Sequence, residues 1–110
     1  MSTSAAIVCF SISTDHCDDM ATVAMQGTAT VDQVARIARR LHRIAARRPR
    51  IVLFDWRELK FLTSLALGVL VTFARQVRRH GGSLHIDGCS GPIREMLEVT
   101  RFDRFFEEIQ

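Results

Sequence analysis

The fold is decided by residues 51–87, which read IVLFDWRELKFLTSLALGVLVTFARQVRRHGGSLHID. Residues 51–54 are a continuous apolar run, which predicts a central strand buried on both faces. After a polar connection, residues 64–80 carry apolar side chains on one face at helical spacing, and a glycine pair ends the segment as a helix C-cap does. Residues 83–87 predict another short strand. This order indicates two parallel strands joined by a crossover helix.

The upstream pattern predicts a hairpin followed by a helix. Residues 5–13 and 21–26 have partial apolar alternation typical of strands, and the polar residues 15–19 between them predict a turn. Thr30 stands three positions before Gln33, which is the spacing of a capping box that would open the first helix. The apolar stripe of that helix comprises Val34, Ile37, Ala38, Leu41, Ile44 and Ala45.

The downstream pattern adds a third helix and an apolar tail. Residues 90–92 predict the helix start, with Pro92 suited to the first helical position, and residues 102–109 would pack over the sheet edge. The complete order predicts an α/β fold, with a mixed sheet of about four or five strands covered by about three or four helices. A chain of 110 residues, 47% hydrophobic and 25% charged, fits one globular domain over residues 1–110.

Histidines and cysteines, the residue types that often serve as catalytic groups or metal ligands, are scattered along this chain. The four histidines belong to no metal-binding or catalytic motif, and no CxxC pair occurs among Cys9, Cys17 and Cys89. We therefore expect reduced thiols, no metal, no cofactor and no enzymatic activity. No apolar run approaches the ~20 residues that cross a bilayer. Met1–Ser4 lack the basic cluster of a secretory signal, so we expect a cytoplasmic protein.

Arginine dominates the basic residues, and the formal net charge is +3. A set of arginines lies opposite the apolar stripe of the first predicted helix: Arg36, Arg39, Arg40, Arg43 and Arg47. Such a face is typical of a solvated helix surface. A nucleic-acid surface is the alternative, but the aromatic residues that single-strand binding requires do not interleave with these arginines.

Residues 51–106 resemble the signature half of STAS domains, the fold of bacterial anti-sigma factor antagonists. In that family a strand ends in Asp, and a loop then leads to Asp-Ser-Ser-Gly-Leu-Gly and a helix. Here Asp55 matches the strand-end Asp, residues 67–70 match the helix start, and Gly81-Gly82 match the helix end. The last helix and tail are matched by Ile93, Leu97, Thr100, Phe102, Asp103 and Phe105.

The resemblance implies a regulatory protein that binds other proteins. In anti-sigma factor antagonists, a serine at the start of the second helix is phosphorylated by a kinase-type anti-sigma factor, and the phosphorylated form releases that partner. Alignment on Leu67-Gly68 places this serine at Ser64. The partner is then expected to be an anti-sigma factor or another serine-kinase-like regulator. The expected contact surface comprises Thr30, Asp55, Trp56, Thr63, Ser64, Leu65, Leu67 and Gly68.

The sequence departs from the family pattern beside Ser64. Thr63 stands where the family has Asp, Leu65 where it has a second serine, Ala66 where it has Gly, and Thr30 where it has an acidic residue. Ser64 is therefore either the phosphoacceptor, with Thr63 as a weaker candidate, or a plain helix cap. Leu65 and Trp56 are either partner contacts or core residues, and Ala66 favours the core.

Two further functions stay open from the sequence. The lack of acidic side chains at positions 63 and 30 fits a STAS subunit that is not phosphorylated, such as one that stabilises the ATPase of an ABC lipid transporter. The third possibility is that the protein binds nucleic acid through the arginine face of the first helix.

Overall fold

The computed structural model describes residues 10–17, 19–88, 91–105 and 107–109. Five strands form one sheet in the order β1-β2-β3-β4-β5. They are β1 Phe10–Cys17, β2 Met20–Ala29, β3 Ile51–Leu62, β4 Ser83–Asp87 and β5 Glu107–Ile109. The helices are α1 Val34–Ala46, α2 Ser64–Arg79 and α3 Gly91–Val99, with 3-10 turns at Val31–Gln33 and Phe102–Phe105. The predicted mixed α/β architecture is confirmed.

The first two strands form the predicted hairpin, but its turn is shorter than predicted. β1 and β2 pair antiparallel from Phe10 with Gly27 to Cys17 with Met20. The predicted turn over residues 15–19 is too long at its start, because the polar residues Asp15 and His16 continue the strand as members of the ladder, whereas Asp19 lies in the turn. The start of the first predicted strand, residues 5–9, lies outside the described residues, as do Cys9 and Cys89.

The third strand is much longer than its apolar run. β3 extends through the segment that the sequence indicates as a polar connection, because β2 pairs with it in parallel from Ile51 to Leu62. Its side chains alternate: Val52 and Phe54 are fully buried, whereas Ile51 is 41% exposed and Leu53 is half-buried. The prediction of a strand buried on both faces is therefore wrong. One face packs on the core, as the period-2 geometry of a strand allows.

The core lies between one face of the sheet and the helices. α1 buries Ile37, Leu41, Ile44 and Ala45, which belong to the predicted stripe. α2 contributes Leu67, Leu70, Phe73, Ala74 and Val77, together with Ala66. These apolar side chains recur at helical spacing, so each helix removes one face from water. That burial supplies most of the driving force that fixes both helices on the sheet.

The end of α2 is fixed by its glycines. The Gly82 N–H donates to the carbonyl of Val77 at 2.9 Å, and the Gly81 N–H donates to the carbonyl of Arg78 at 3.0 Å. This pair of bonds is a Schellman motif, which requires a left-handed residue at its turn, and Gly81 has φ +86°. The predicted glycine C-cap is confirmed.

The C-terminal tail does more than cover the sheet edge. Residues 107–109 form β5, which pairs in parallel with β4 from His85 with Glu107 to Asp87 with Ile109. The sequence indicated an apolar tail and missed this strand, because three residues show no usable periodicity. Among the described residues, no helix is both long and apolar enough to span a bilayer.

Candidate functional site: the surface around Ser64

Four elements meet where α2 begins. Ala29, the last residue of β2, is aligned with Leu62, the last residue of β3. The Thr63 N–H donates to the carbonyl of Ala29 at 3.1 Å, which ties the connection into α2 to the end of β2. The 3-10 turn Val31–Gln33 follows β2 directly. The start of α2 and the residues after β2 are thus held side by side by the sheet register.

Thr63, and not Ser64, is the N-cap of α2. Thr63 has extended backbone angles of φ −72° and ψ 160°, and its hydroxyl oxygen accepts from the Ala66 N–H at 3.2 Å. The suggestion that Ser64 caps this helix is therefore wrong, because Ser64 is already the first helical residue. The cap role falls one position earlier, where the hydroxyl can reach the third helical amide.

Ser64 itself is exposed, and its hydroxyl makes no hydrogen bond with any of the described residues. It lies at the amino end of a helix of 16 residues, with no acidic residue in the first turn. Unpaired amides and the helix dipole make this end electropositive. A serine here presents an accessible hydroxyl where added negative charge is tolerated locally.

Exposed apolar side chains occur at the same end of the fold as Ser64. Large hydrophobic side chains with wide exposure at this end are Val31 at 59%, Phe61 at 46% and Leu65 at 58%. Leu65 fits the interface interpretation given to it, and Ala66 is fully buried, as expected. Val31 and Phe61 could not be assigned to this surface from the sequence, since neither belongs to a periodic apolar pattern. A surface with this composition is typical of a protein contact.

Two predicted contact residues lie in the core. Trp56 is fully buried, its Nε1–H donates to Met25 Sδ at 3.2 Å, and its ring centroid lies 5.3 Å from that of Phe54. Leu67 is only 5% exposed. Neither side chain lies on the surface, so the suggested partner contacts of Trp56 and Leu67 do not fit their burial. Their packing role is the one that the structure supports.

Asp55 belongs to a different part of the surface. It lies within β3 opposite Ala24, whereas Leu62 lies opposite Ala29, so about five residues of β2, or ~16 Å of strand, separate Asp55 from the start of α2. The two carboxylate oxygens of Asp55 accept from Arg57 Nε at 2.9 Å and Nη2 at 2.8 Å. Asp55 is therefore neither a strand end nor a neighbour of Ser64.

The ion pair between Asp55 and Arg57 shifts the pKa of each group in the direction that favours its charged form. The hydrogen bonds from the Arg57 side chain lower the pKa of Asp55 and outweigh its partial burial, which acts in the opposite direction. The same pair raises the pKa of Arg57, and the charge of Asp87 adds to that shift. Since the Arg57 side chain is 64% exposed, the pair contributes little to stability. In the part of the chain that the structure describes, no histidine, cysteine and carboxylate cluster could hold a metal ion.

The remaining predicted residues border the start of α2 or lie on its exposed face. Thr30 is half-buried and immediately precedes the 3-10 turn, whose first residue is Val31. Its hydroxyl makes no cap bond, so the predicted Thr30–Gln33 capping box does not form. Gly68 is exposed on α2, one turn after Ser64, and a Cβ placed on it would meet no atom within 4 Å.

Comparison with known proteins identifies relatives of this fold. The family model for the STAS domain matches residues 11–110. An anti-sigma factor antagonist from Mycobacterium paratuberculosis superimposes with a TM-score of 0.78 at 18% identity, over 90% of this chain and 84% of that chain. The Bacillus cell fate determinant SpoIIAA in its phosphorylated form gives a TM-score of 0.73 at 11% identity, over 91% of this chain and 92% of that chain.

A third solved structure is an anti-sigma factor antagonist (STAS) domain protein from Planctomyces limnophilus. It gives a TM-score of 0.72 at 20% identity, over 88% of this chain and 87% of that chain. At these identities the structural likeness shows the fold alone. The search of curated proteins produced no match.

Proposed function

This chain belongs to the STAS domain family, and on that premise we propose that it is a non-enzymatic regulator that binds another protein through the surface around Ser64. The partner that we propose is a kinase-type anti-sigma factor or a related serine kinase, because several structural relatives are described as anti-sigma factor antagonists. A partner that uses ATP implies a cytoplasmic location. We also propose that residues 1–110 act as a single domain.

One observation carries this proposal. An exposed serine hydroxyl lies in the first turn of α2, at the same end of the fold as exposed Val31, Phe61 and Leu65. Leucine and phenylalanine side chains on a surface can be buried by a partner, at about 25 cal/mol per Å² of apolar area removed from water. The hydroxyl lies beside the area that such a contact would cover.

Phosphorylation at this position would act as a switch without refolding the domain. A phosphate adds about −1.5 to −2 charge at neutral pH. The helix amino terminus tolerates that charge, so the fold persists. The neighbouring apolar contact does not tolerate it, because a hydrated dianion must lose water when a partner covers the patch. The modified form therefore loses affinity for its partner.

The structure also favours Ser64 over Thr63 as the acceptor. The Thr63 hydroxyl oxygen is engaged by the Ala66 N–H and its side chain is half-buried, whereas Ser64 is exposed. A kinase can reach Ser64 without breaking the helix cap. Phosphorylation of Thr63 would replace that cap bond and destabilise the first turn.

The test is phosphorylation by kinase-type anti-sigma factors encoded in the same genome. Each kinase is incubated with the protein and ATP, and the modified residue is located by mass spectrometry. We expect one phosphate at Ser64, none in Ser64→Ala, and normal phosphorylation of Thr63→Ser at Ser64. Ser64→Asp should weaken the complex at least about tenfold because it places a charge in the apolar contact. A phosphate elsewhere, or full binding by Ser64→Asp, would refute the switch.

The second candidate is a STAS subunit that binds without phosphorylation, for example to the ATPase of an ABC lipid transporter. It is favoured by one observation, the presence of Thr63 and Thr30 at the two positions where the STAS pattern has acidic residues. A stable complex with such an ATPase that survives Ser64→Ala, together with no phosphate transfer from any kinase, would select this function.

A further inference from the structure

A groove runs between the outer faces of α1 and α2, away from the sheet. It has a volume of about 510 Å³. Its floor is apolar and contains the buried side chains of Leu41 and Phe73 together with half-buried Val69. One rim is formed by Arg39 and Arg43 of α1. Polar, uncharged Thr72 and Gln76 of α2 form the opposite rim.

Neither helix that forms the groove contributes a negative charge. Residues 33–54 and 59–86, which include all of α1 and α2, contain no aspartate or glutamate. Arg39 and Arg43 are exposed, and within the described part of the chain neither forms an ion pair. Their charges are separated by one helical turn on the same face. The rim is therefore an uncompensated cationic row beside an apolar floor.

From this arrangement we propose that the α1–α2 groove binds an acidic amphipathic helix of a partner protein. The groove's α2 wall, Val69 to Gln76, extends about 10 Å along the helix axis, which matches about two turns of a bound helix. Apolar side chains at i, i+3 or i+4, and i+7 would occupy the floor. Carboxylates four residues apart on one flank would face Arg39 and Arg43.

The shape of the groove favours a helix over other anionic ligands. Phosphates of nucleic acid use arginines but leave an apolar floor empty, and the one phenyl ring of the groove, that of Phe73, is buried and offers no face for base stacking. An anionic membrane would need apolar side chains that project outward, whereas Leu41 and Phe73 are recessed. A helix supplies both an apolar ridge and a charged flank.

This proposal does not depend on the function proposed for Ser64. The groove residues belong to the outer faces of α1 and α2, and Ser64 is not among the residues that form it. A small contact of this kind is typical of a weak or transient interaction, so a short peptide should bind with a dissociation constant on the order of 100 µM. Loss of binding in the groove should leave Ser64 phosphorylation unchanged.

The experiment uses the full chain labelled with ¹⁵N and a synthetic helical peptide. The peptide carries leucines at helical spacing and glutamates along one flank, and a scrambled peptide of the same composition is the reference. We expect chemical-shift changes at the amides of Val69, Thr72 and Gln76 with the ordered peptide. Replacing both rim arginines, Arg39→Gln with Arg43→Gln, should weaken binding at least about fivefold.

The matched control keeps the charge change and moves it away from the groove. Arg75 and Arg79 are exposed on α2 but do not line the groove, so the pair Arg75→Gln with Arg79→Gln should change affinity less than about twofold. Equal losses in both double variants would overturn the proposal, as would equal binding of the scrambled peptide or no binding at about 1 mM peptide. Two other ligands are tested in the same way: a short DNA duplex, and vesicles of phosphatidylcholine and phosphatidylserine. The proposal would also be overturned if either of them bound through Arg39 and Arg43 while the peptide did not bind.

Discussion

Replacing Gly68 with alanine should make this protein more stable. Gly68 lies inside α2 with an ordinary helical backbone, and a Cβ at this position meets no atom within 4 Å. A glycine in a helix interior costs about 0.5–1 kcal/mol relative to alanine, because glycine loses more backbone freedom on folding. With no steric term to oppose it, Gly68→Ala should raise the free energy of unfolding by about 0.5–1 kcal/mol.

Gly81 provides a matched control with the opposite expected sign. A Cβ at Gly81 also meets no atom within 4 Å, but its backbone has φ +86° in the Schellman motif that ends α2. An L-residue in that left-handed region costs roughly 1–2 kcal/mol. The two substitutions add the same methyl group to equally open space. They should nevertheless differ in unfolding free energy by about 2 kcal/mol, through backbone conformation alone.

The assay is urea unfolding followed by tryptophan fluorescence. The chain has a single tryptophan, and Trp56 is fully buried, so its emission reports loss of the core. For a domain of this size, 1 kcal/mol corresponds to about 4–8 °C in melting temperature, which gives a second readout. Equal destabilisation by Gly68→Ala and Gly81→Ala would refute the reasoning. If Gly68→Ala is stabilised but binds its partner more weakly, the added methyl group lies in the contact.

Three other predictions test the remaining assignments. Thr63→Ala should lower the free energy of unfolding by about 1 kcal/mol, because the N-cap hydrogen bond of α2 is lost, whereas Thr63→Ser should keep most of that stability. Both variants are measured by urea unfolding, and equal losses of stability would contradict the cap. Arg57→Gln should return the pKa of Asp55 toward its ordinary value in an NMR titration, and an unchanged pKa would exclude the pair as the cause. Because the folded-state pKa of Asp55 is lowered, the small stabilisation is present above the unfolded pKa of about 4 and is lost as pH falls through the folded value. Trp56→Phe should lower the free energy of unfolding by about 1–2 kcal/mol, whereas Leu65→Ala at an exposed position should change it by less than about 0.5 kcal/mol. Thermal unfolding followed by circular dichroism measures both, and comparable losses would contradict the difference in burial between the two side chains.

Local periodicity predicted the helices well. The apolar stripes of α1 and α2 appear in the sequence at helical spacing, and the observed α2, Ser64–Arg79, agrees with the predicted segment within one residue. The Gly81-Gly82 cap was also readable, because a left-handed C-cap strongly favours glycine. These features depend on residues within a few positions of one another, so a single sequence contains their causes.

The position of the cap at Ser64 or Thr63 was harder to predict. Both residues are favoured N-caps, so composition does not separate them. The choice depends on where the backbone turns from extended to helical. In this fold the bond from the Thr63 N–H to the Ala29 carbonyl holds Thr63 extended, and Ala29 is 34 positions earlier in the chain.

The sequence alone determined which segments are amphipathic, which glycines permit left-handed turns, and that residues with hydroxyl groups stand at the start of the second long helix. Tertiary structure decided which polar residues join the sheet: Glu58 looks like part of a loop, yet its pairing with Gln26 of β2 makes it part of β3. It also placed Trp56 inside and Leu65 outside, although both are apolar residues at the borders of polar segments. The physical reason is range. Periodicity and backbone propensity act between neighbours, whereas strand pairing and burial depend on residues that only the folded chain brings together.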